Sequence, residues 1–434
     1  MNHTLNIFAF GSVVGELGFD SEDETFSLHY SDEWRSNGFA LSPHLALDTA
    51  LSSSVIKKFF ANLLPEGKGL EDLSVYFHVS KSNIFGLIEK LSFETAGALV
   101  FSNGPTLSLE THFRPITTEE LTMRIAQRSS QSIIVWDDKP RLSLAGVQDK
   151  LPIIVREGEF GLGGGDLCST HIMKFDTVQS HHIALNEFFS IILAGAIGLD
   201  VAEAELRRFG NEPVLLVKRF DRRIHSQHLI KRLHIIDGCQ MLNLFPFEKY
   251  ERPFGSGRDV SHYREGASLS KLFSLASQCS VPALTTMKIL QWVLFNLLIS
   301  NYDAHAKNIS FFVSKGKIEL APFYDLLNVS LYPSFAQEFS MAIGDTFNPK
   351  ELGAYDLAHV CDECSIHPKL MVQEITKLSK KLREALNTFE FSLYCTNKSE
   401  HEFADTFKKN ILHTIEVFQG LSPDILSAYK THFK

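Results

Sequence analysis

A chain of 434 residues is too long for one ordinary hydrophobic core, so two or three packed units are expected. Its 35 phenylalanines and 21% charged residues describe a well-packed protein rather than a disordered one. A formal net charge of -9 gives no basic field to attract nucleic acid or an anionic membrane, so DNA binding by this chain alone is disfavoured.

The N-terminal stretch "MNHTLNIFAFGSVVGELGF" lacks a basic leader and alternates like a strand. Up to about Ser102 the pattern is one of short strands and turns with a single helical passage, "SVIKKFFANLLPEG", which stops at Pro65-Glu66-Gly67. The polar stretch Asn103 to Pro115, punctuated by Pro and Gly, marks a boundary, and residues 1–104 are expected to form a first subdomain.

Residues 105–220 read as strand-rich, with "KLPIIV", "THIMKF" and "PVLLVKRF" as the clearest strands. Before the first of these lies "RLSLAGVQDK". Small residues at Ala145 and Gly146, with Val147 beside them, would let backbone N–H groups approach a phosphate, and Gln148 and Lys150 would add polar contacts; an ordinary turn is the alternative. "GLGGGD", Gly161 to Asp166, lacks the Gly-Lys-Ser/Thr ending of a nucleotide loop and is expected to be a flexible connection. Lys174 sits on the second strand. The following helix, "IALNEFFSIILAGAIGL", carries Glu187, places Leu185, Phe188, Ile192 and Ala196 on one face, and ends at Gly198. Phe220 and Asp221 close the third strand where a hinge would meet adenine and ribose, with backbone groups at Lys218 and Phe220 on the adenine edge. A salt-bridged strand end fits the same residues.

Residues 221–434 turn mainly helical. "VPALTTMKILQWVLFNLLIS" reads as a helix capped by Ser280 with Pro282 in its first turn, too short and interrupted to span a bilayer. Asn301 to Asn308 then form a loop, and "ISFFV", "SKGK" and "IELAPFYD" make a hairpin turning at Lys315-Gly316, with Asp325 closing its second strand. A tight hairpin folds Asp325 back toward Asp303 and Asn308. Two carboxylates and an amide at one point suit phosphoryl transfer from ATP: Asn308 and Asp325 as hard oxygen ligands for Mg²⁺, Asp303 as the base that orients the attacking hydroxyl. Lys307 would neutralise charge on the phosphoryl group, and His305 would brace the loop or touch phosphate. Lys174 and Glu187 supply, in the expected order, the strand lysine and helical glutamate such a site needs. Asn308 follows Asp303 by five positions, as in the protein-kinase loop His-Arg-Asp-x-x-x-x-Asn, although the Asp-x-His-x-x-Asn order is closer to phosphoinositide kinases. A solvated turn is the bland alternative. Six scattered cysteines imply reduced thiols, and "HVCDECSIH", with His359, Cys361, Cys364 and His367, is expected to be a metal-free helix surface.

Taken together, "LSLAGVQDK", "THIMKFD", "NEFFSIILAGAIGL", "VKRFDR", "NYDAHAKN" and "LAPFYDLL" resemble the HipA family, the Ser/Thr kinase toxins of bacterial HipBA-type toxin–antitoxin systems. "FFANLLPEG" and "FETAGALVF" extend the likeness to the first hundred residues. The resemblance implies an α+β, two-lobed protein-kinase-like fold related to the phosphoinositide kinases. It also implies Lys174 on the ATP phosphates, the hinge at Lys218 to Phe220, Asp221 near the ribose, Asp303 as base, and Asn308 and Asp325 on Mg²⁺. Ser143, which opens the Ser-x-x-Gly loop, would be an inhibitory autophosphorylation site. Asp237, Cys239 and Gln240 match a family element associated with the nucleotide site. The implied partners are a small helix-turn-helix HipB-like antitoxin, operator DNA through that antitoxin alone, and a protein substrate such as an aminoacyl-tRNA synthetase, in the cytoplasm and without a membrane role. A small-molecule or lipid kinase and a non-catalytic kinase-like regulator remain the alternatives.

Overall fold

The computed structural model describes residues 2–91, 94–107, 111–128, 130–137, 139–141, 150–177 and 180–434. They form two compact units. The first comprises Met1–Asp176, Arg207–Pro246 and Ser310–Ala321; the second comprises Thr177–Leu206, Phe247–Ile309 and Pro322–Lys434. These units cut across the sequence-based boundaries, because strand pairing draws residues of the third expected segment into the first unit.

The chain opens with β1 (Asn2–Ala9), β2 (Ser12–Asp20) and β3 (Thr25–Tyr30), followed by α1 (Asp32–Asn37), α2 (Ser53–Ala61), α3 (Gly67–Phe77), α4 (Ile84–Leu91) and β4 (Val100–Ser102). The strands form an antiparallel sheet in the order β3-β2-β1-β4. Leu5, Ile7, Val14, Leu17 and Phe101 are its most deeply buried side chains. Ser52 caps α2 by accepting from the Val55 N–H, and Ile56, Phe59 and Phe60 face inward. Four helices stand where the sequence suggested one. The short α1 buries only Trp34 and α3 only Leu73, so neither shows an apolar stripe, and α4 has just eight residues with a glycine among them.

Next come β5 (His112–Ile116), α5 (Thr118–Ala126), the two-stranded pair β6 (Val135–Trp136) and β7 (Lys139–Pro140), β8 (Lys150–Arg156), β9 (Glu159–Gly164), β10 (His171–Phe175), α6 (Ile183–Ala196), β11 (Ala204–Phe209) and β12 (Glu212–Lys218). Apart from α5, α6 and the β6–β7 pair, they build a six-stranded sheet in the order β11-β12-β10-β8-β9-β5. The expected strands at 150–155, 170–175 and 213–220 are all present. Two expectations fail here. The boundary segment ends early, since Pro115 lies in β5, which is an edge strand and tolerates a missing N–H. "GLGG" is strand β9, not a flexible connection: a Cβ on Gly161 would stand 2.3 Å from the Phe113 ring, and one on Gly163 would stand 1.9 Å from the Leu167 carbonyl. Those glycines permit close packing.

The remaining elements are β13 (Arg222–Ser226), β14 (Leu229–Arg232), β15 (Ile235–Asp237), α7 (Gly238–Leu242), α8 (Leu269–Ser274), α9 (Pro282–Leu298), β16 (Ser310–Ser314), β17 (Lys317–Leu320), α10 (Ala354–Glu363), α11 (Pro368–Thr388) and α12 (Lys398–His432). The expected hairpin is β16–β17, with Ser314 opposite Lys317 and Gly316 at φ +69°, and β15 adds a third strand. It ends at Leu320, so Asp325 does not close its second strand but lies five residues beyond it. Asp237 and Gln240 form a capping box at the start of α7, and the Gln240 side-chain amide donates to the Phe59 carbonyl at 3.1 Å. Their visible role is to seat α7 against α2.

In the second unit α9 begins at Pro282, and Val281 rather than Ser280 occupies the cap position, without a side-chain bond. Helix α6 is not the one-sided helix its spacing suggested. It is buried almost all round from Ile183 to Leu193, while Ala196 is exposed, and Gly198 at φ +91° terminates it as expected. Phe189 of α6 sits in an aromatic cluster, with ring centroids 4.9 Å from Phe391 and 5.7 Å from Phe407. Among the described residues no helix is long and apolar enough to cross a membrane.

A neutral amide network fixes the segment after Asp325. Asn186 of α6 donates to the Asn328 carbonyl at 2.9 Å and accepts from the Asn328 N–H at 2.8 Å, while the Asn328 side chain donates to Asn410 of α12 at 2.8 Å. Both Asn186 and Asn328 are fully buried. Asn186→Ala strands a buried N–H and a buried C=O together, so it should lower unfolding free energy by roughly 2–4 kcal/mol, measured as a shift in urea midpoint, whereas Asn410→Ala at the half-buried end should cost about 1 kcal/mol.

Candidate active site

The loop after α9 is organised by Asn301. Its side chain donates to Asn296 Oδ1 at 2.7 Å and to the Asp325 carbonyl at 3.4 Å, and its Oδ1 accepts the Asp303 N–H at 3.3 Å. One amide therefore ties the backbone of Asp303 to that of Asp325. Asn308 closes the loop: its Nδ2 and the His305 N–H both donate to the Asp303 carbonyl, at 3.0 and 2.9 Å. With Nδ2 committed, Oδ1 of Asn308 is the end of the amide left as an oxygen ligand. His305, Lys307 and Asn308 are buried, while Asp303 is exposed. Tyr324 donates its hydroxyl to the Lys307 carbonyl at 2.6 Å. Asp325 holds φ +57°, a left-handed conformation that Asp tolerates better than most residues and that is concentrated at functional sites.

Sequence reasoning missed Tyr250. Its hydroxyl donates to Asp303 Oδ1 at 3.0 Å, and its ring meets the His305 ring edge-on at 5.2 Å. The residue lies in "FEKYERPF", an irregular stretch with no periodicity to single it out.

In the first unit Lys174 on β10 stands directly opposite Lys150 on β8. Cross-strand partners project from the same sheet face, and both lysines are buried, at 9% and 6% exposure. The register therefore sets the two lysines side by side on one face of the sheet. Lys218, at the end of β12, is exposed. Phe220 packs edge-on to Phe312 at 5.9 Å, and its carbonyl accepts from Arg223 at 3.0 Å. Glu187 lies wholly buried in α6 of the second unit. Ser143, Ala145, Gly146, Val147 and Gln148 lie outside the described residues.

Asp221, expected near a ribose, has its carboxylate held by protein donors. Its carboxylate accepts from Arg219 at 3.0 and 2.9 Å, from Arg222 at 2.7 Å and from the Gly97 N–H at 2.9 Å. This is the salt-bridged strand end that the sequence left open. Arg219 also donates to Ser169 Oγ and the Thr95 carbonyl, and Arg222 to the carbonyls of Thr95 and Gly97. Burial alone would raise the Asp221 pKa, but Arg219 and Arg222 override it and hold the carboxyl well below its ordinary range. Burial, followed by repulsion from Arg219, pulls Arg222 down to about 10, so it stays charged at neutral pH.

The His/Cys stretch divides into separate structural roles. His367 caps α11 by accepting from the Lys369 N–H at 3.2 Å, and His359 stacks on Phe433 at 5.2 Å. Burial pushes the Cys361 thiol up to about 12 and Cys364 higher still, which disfavours the thiolates a metal would need.

Comparison with known proteins gives consistent matches along the chain. The family model described as HipA N-terminal domain matches residues 5–102, and that described as HipA-like C-terminal domain matches residues 142–386. The serine/threonine-protein kinase toxin HipA of Shewanella oneidensis is 40% identical over 423 residues, 97% of either chain. A putative kinase, Y4mE, of Sinorhizobium fredii is 29% identical over 417 residues, covering 93% of this chain and 96% of its own. A chain in the structure of the S. oneidensis HipA, HipB and operator DNA complex superposes with a TM-score of 0.90 at 40% identity, covering 98% of this chain and 99% of that one.

The Asp221 cluster carries a signed pH expectation. A depressed folded-state pKa contributes stability that is complete above the unfolded value of about 3.9 and is lost only as pH falls from there toward the folded value. Asp221→Asn removes the carboxylate that Arg219 and Arg222 share, leaving only Glu94 beside Arg219, and should cost about 3–5 kcal/mol. Measured by urea denaturation, that deficit should be constant from pH 8 to pH 5.

Proposed function

This chain belongs to the HipA family and is a serine/threonine-protein kinase of two-lobed, kinase-like α+β fold; we propose that Asp303 is its catalytic base and that it acts as the toxin of a toxin–antitoxin module. The observation that carries the site assignment is the exposed Asp303, whose backbone N–H is tied through the Asn301 side chain to the carbonyl of Asp325. In this reading the hydroxyl oxygen of a Ser or Thr attacks the γ-phosphorus of ATP, the bond to the β-phosphate oxygen breaks, ADP leaves, and Asp303 takes the hydroxyl proton. Lys174 and Lys150 are assigned to the phosphates, and Glu187 to the role of the helical glutamate that such kinases carry. Backbone groups at Lys218 and Phe220 face the adenine edge. Asp221 serves the site indirectly, by fixing the strand end beside them.

Asn308 and Asp325 are assigned to Mg²⁺. The donor set fits, since an amide oxygen and a carboxylate are the hard ligands this ion takes. When bound, the metal supplies charge neutralisation across the β- and γ-phosphates. His305 and Lys307, both buried, are assigned to bracing the loop, with the Lys307 charge available to the transferring group.

The partner proposed is a small helix-turn-helix antitoxin of the HipB kind, with operator DNA reached only through it. The similar S. oneidensis protein was solved with HipB and operator DNA, and a net charge of -9 leaves this chain poorly equipped to hold DNA itself. The protein substrate is proposed to be a translation component such as an aminoacyl-tRNA synthetase, and Ser143 the site of self-inactivation, both on the family likeness.

Asp303→Asn should reduce transfer from γ-labelled ATP by about 10²–10⁴-fold while leaving ATP affinity within about twofold, because the amide is isosteric but cannot accept the proton. Asp325→Ala should weaken Mg²⁺–ATP binding itself. Mass spectrometry of wild-type protein after incubation should place a phosphate on Ser143, absent in the Asp303 variant. Alone at physiological salt, the chain should leave an operator-length duplex unshifted in a mobility assay; a tight complex without antitoxin would contradict the proposed division of labour.

A further inference from the structure

Tyr250 is a half-buried residue of the second unit whose hydroxyl donates to the carboxylate proposed as the base. Both of its neighbours hold it there. Lys249, buried at 6% exposure, places its ammonium over the Tyr250 ring at 5.1 Å. Glu251, buried at 3%, donates its backbone N–H to the Ser340 carbonyl at 2.9 Å, and its carboxylate accepts from the Ala342 N–H at 2.8 Å and from Arg264 at 2.6 Å. Ser340 in turn grips the loop of Asp303 from the other side, its N–H donating to the Tyr302 carbonyl at 2.9 Å and its hydroxyl to the Ala304 carbonyl at 2.7 Å. Lys249-Tyr250-Glu251 and the loop Tyr302 to Ala304 are thus joined directly by the Tyr250–Asp303 hydrogen bond and indirectly through Ser340. The edge-on contact of Tyr250 with His305 is a second direct link to the same loop.

A carboxylate on an exposed loop rotates freely unless something holds one oxygen. Resting on Asp303 as the base, we infer that Tyr250 is a positioning residue of the transfer reaction: its phenol holds Oδ1 of Asp303, so that Oδ2 presents toward the incoming Ser or Thr hydroxyl. A phenol suits the task because it orients the carboxylate without setting a full positive charge beside a proton acceptor. The opposite use of this contact would be a plug, with the phenol occupying the place of the substrate hydroxyl. A plug must leave to let substrate in, and the fastening of Lys249 and Glu251 argues against an easily displaced tyrosine.

The test compares wild type, Tyr250→Phe, Asp303→Asn and the double variant. The readout is incorporation of γ-labelled phosphate into the enzyme and into a whole-cell protein extract, with ATP affinity by calorimetry and thermal midpoint measured alongside. Tyr250→Phe keeps the ring packing and removes only the hydroxyl, so kcat should fall about tenfold or more, with KM for ATP, ATP affinity and thermal midpoint unchanged. In the Asp303→Asn background the same change should cause no further loss, because no base remains to orient. An unchanged kcat overturns the inference, and a raised kcat identifies a plug. A loss of equal proportion in both backgrounds, or one accompanied by weaker ATP binding, identifies a general structural effect and also overturns it. If Asp303→Asn itself transfers at the wild-type rate, the base assignment fails first; if it is inactive while Tyr250→Phe is fully active, only the role of Tyr250 fails.

Discussion

Two guanidinium groups gripping one carboxylate beneath the surface is the arrangement on which the first unit depends. Arg219, Asp221 and Arg222 are each at most 4% exposed, and removing such ions from water costs several kcal/mol apiece before any attraction is counted. That cost is offset only if the remaining donors find partners. Apart from the buried Arg222 Nε–H, which has no hydrogen-bond partner, those donors are met in two places remote in sequence, the Glu94 to Gly97 segment and Ser169. Glu94 completes the cluster by accepting both the N–H and the hydroxyl of Ser169, at 2.9 and 2.8 Å. The end of β12, the turn before β10 and the last turn of the N-terminal region therefore stand or fall together. Because β12 pairs with β10, the same cluster fixes the strand carrying Lys174.

The second unit solves a similar problem with neutral groups. Asn301 joins Asp303 to Asp325, and Asn186, Asn328 and Asn410 fasten the segment just beyond to α6 and α12. Amides can donate and accept at once, so they satisfy backbone groups on both sides without the desolvation cost of ions. Their neutrality also leaves the local charge to Asp303, Lys307 and Asp325. Rigidity here comes from the geometry of neutral hydrogen bonds.

How much of this was legible beforehand depends on whether a residue's role is local. The strand at Lys174, the helix at Glu187, the break at Gly198, the two-residue turn at Lys315-Gly316 and the order of Asp303, Asn308 and Asp325 are written in short-range pattern, because period, cap and turn chemistry are settled within a few residues. Family motifs along nearly the whole chain added the expected fold and kinase class. Misreadings arose where local pattern and packing disagree. "GLGG" looks like a linker until the Phe113 ring and the Leu167 carbonyl are set against it; α6 reads as amphipathic, yet it is buried nearly all round; Ser280 is a good cap residue but stands one position too early.

The sequence by itself determined which residue types are present for phosphoryl transfer and in what order they occur, since that order is a property of the chain. Only the tertiary structure decided what holds them. Tyr250 reaches Asp303 across fifty-three positions, Asp221 is held by arginines and by the Gly97 N–H, and Lys150 stands opposite Lys174 only because β8 and β10 are neighbours in one register. The physical reason is that hydrogen bonds and ion pairs act over about 3 Å of space whatever the separation along the chain, and no spacing rule reports which distant residues folding will bring within that reach.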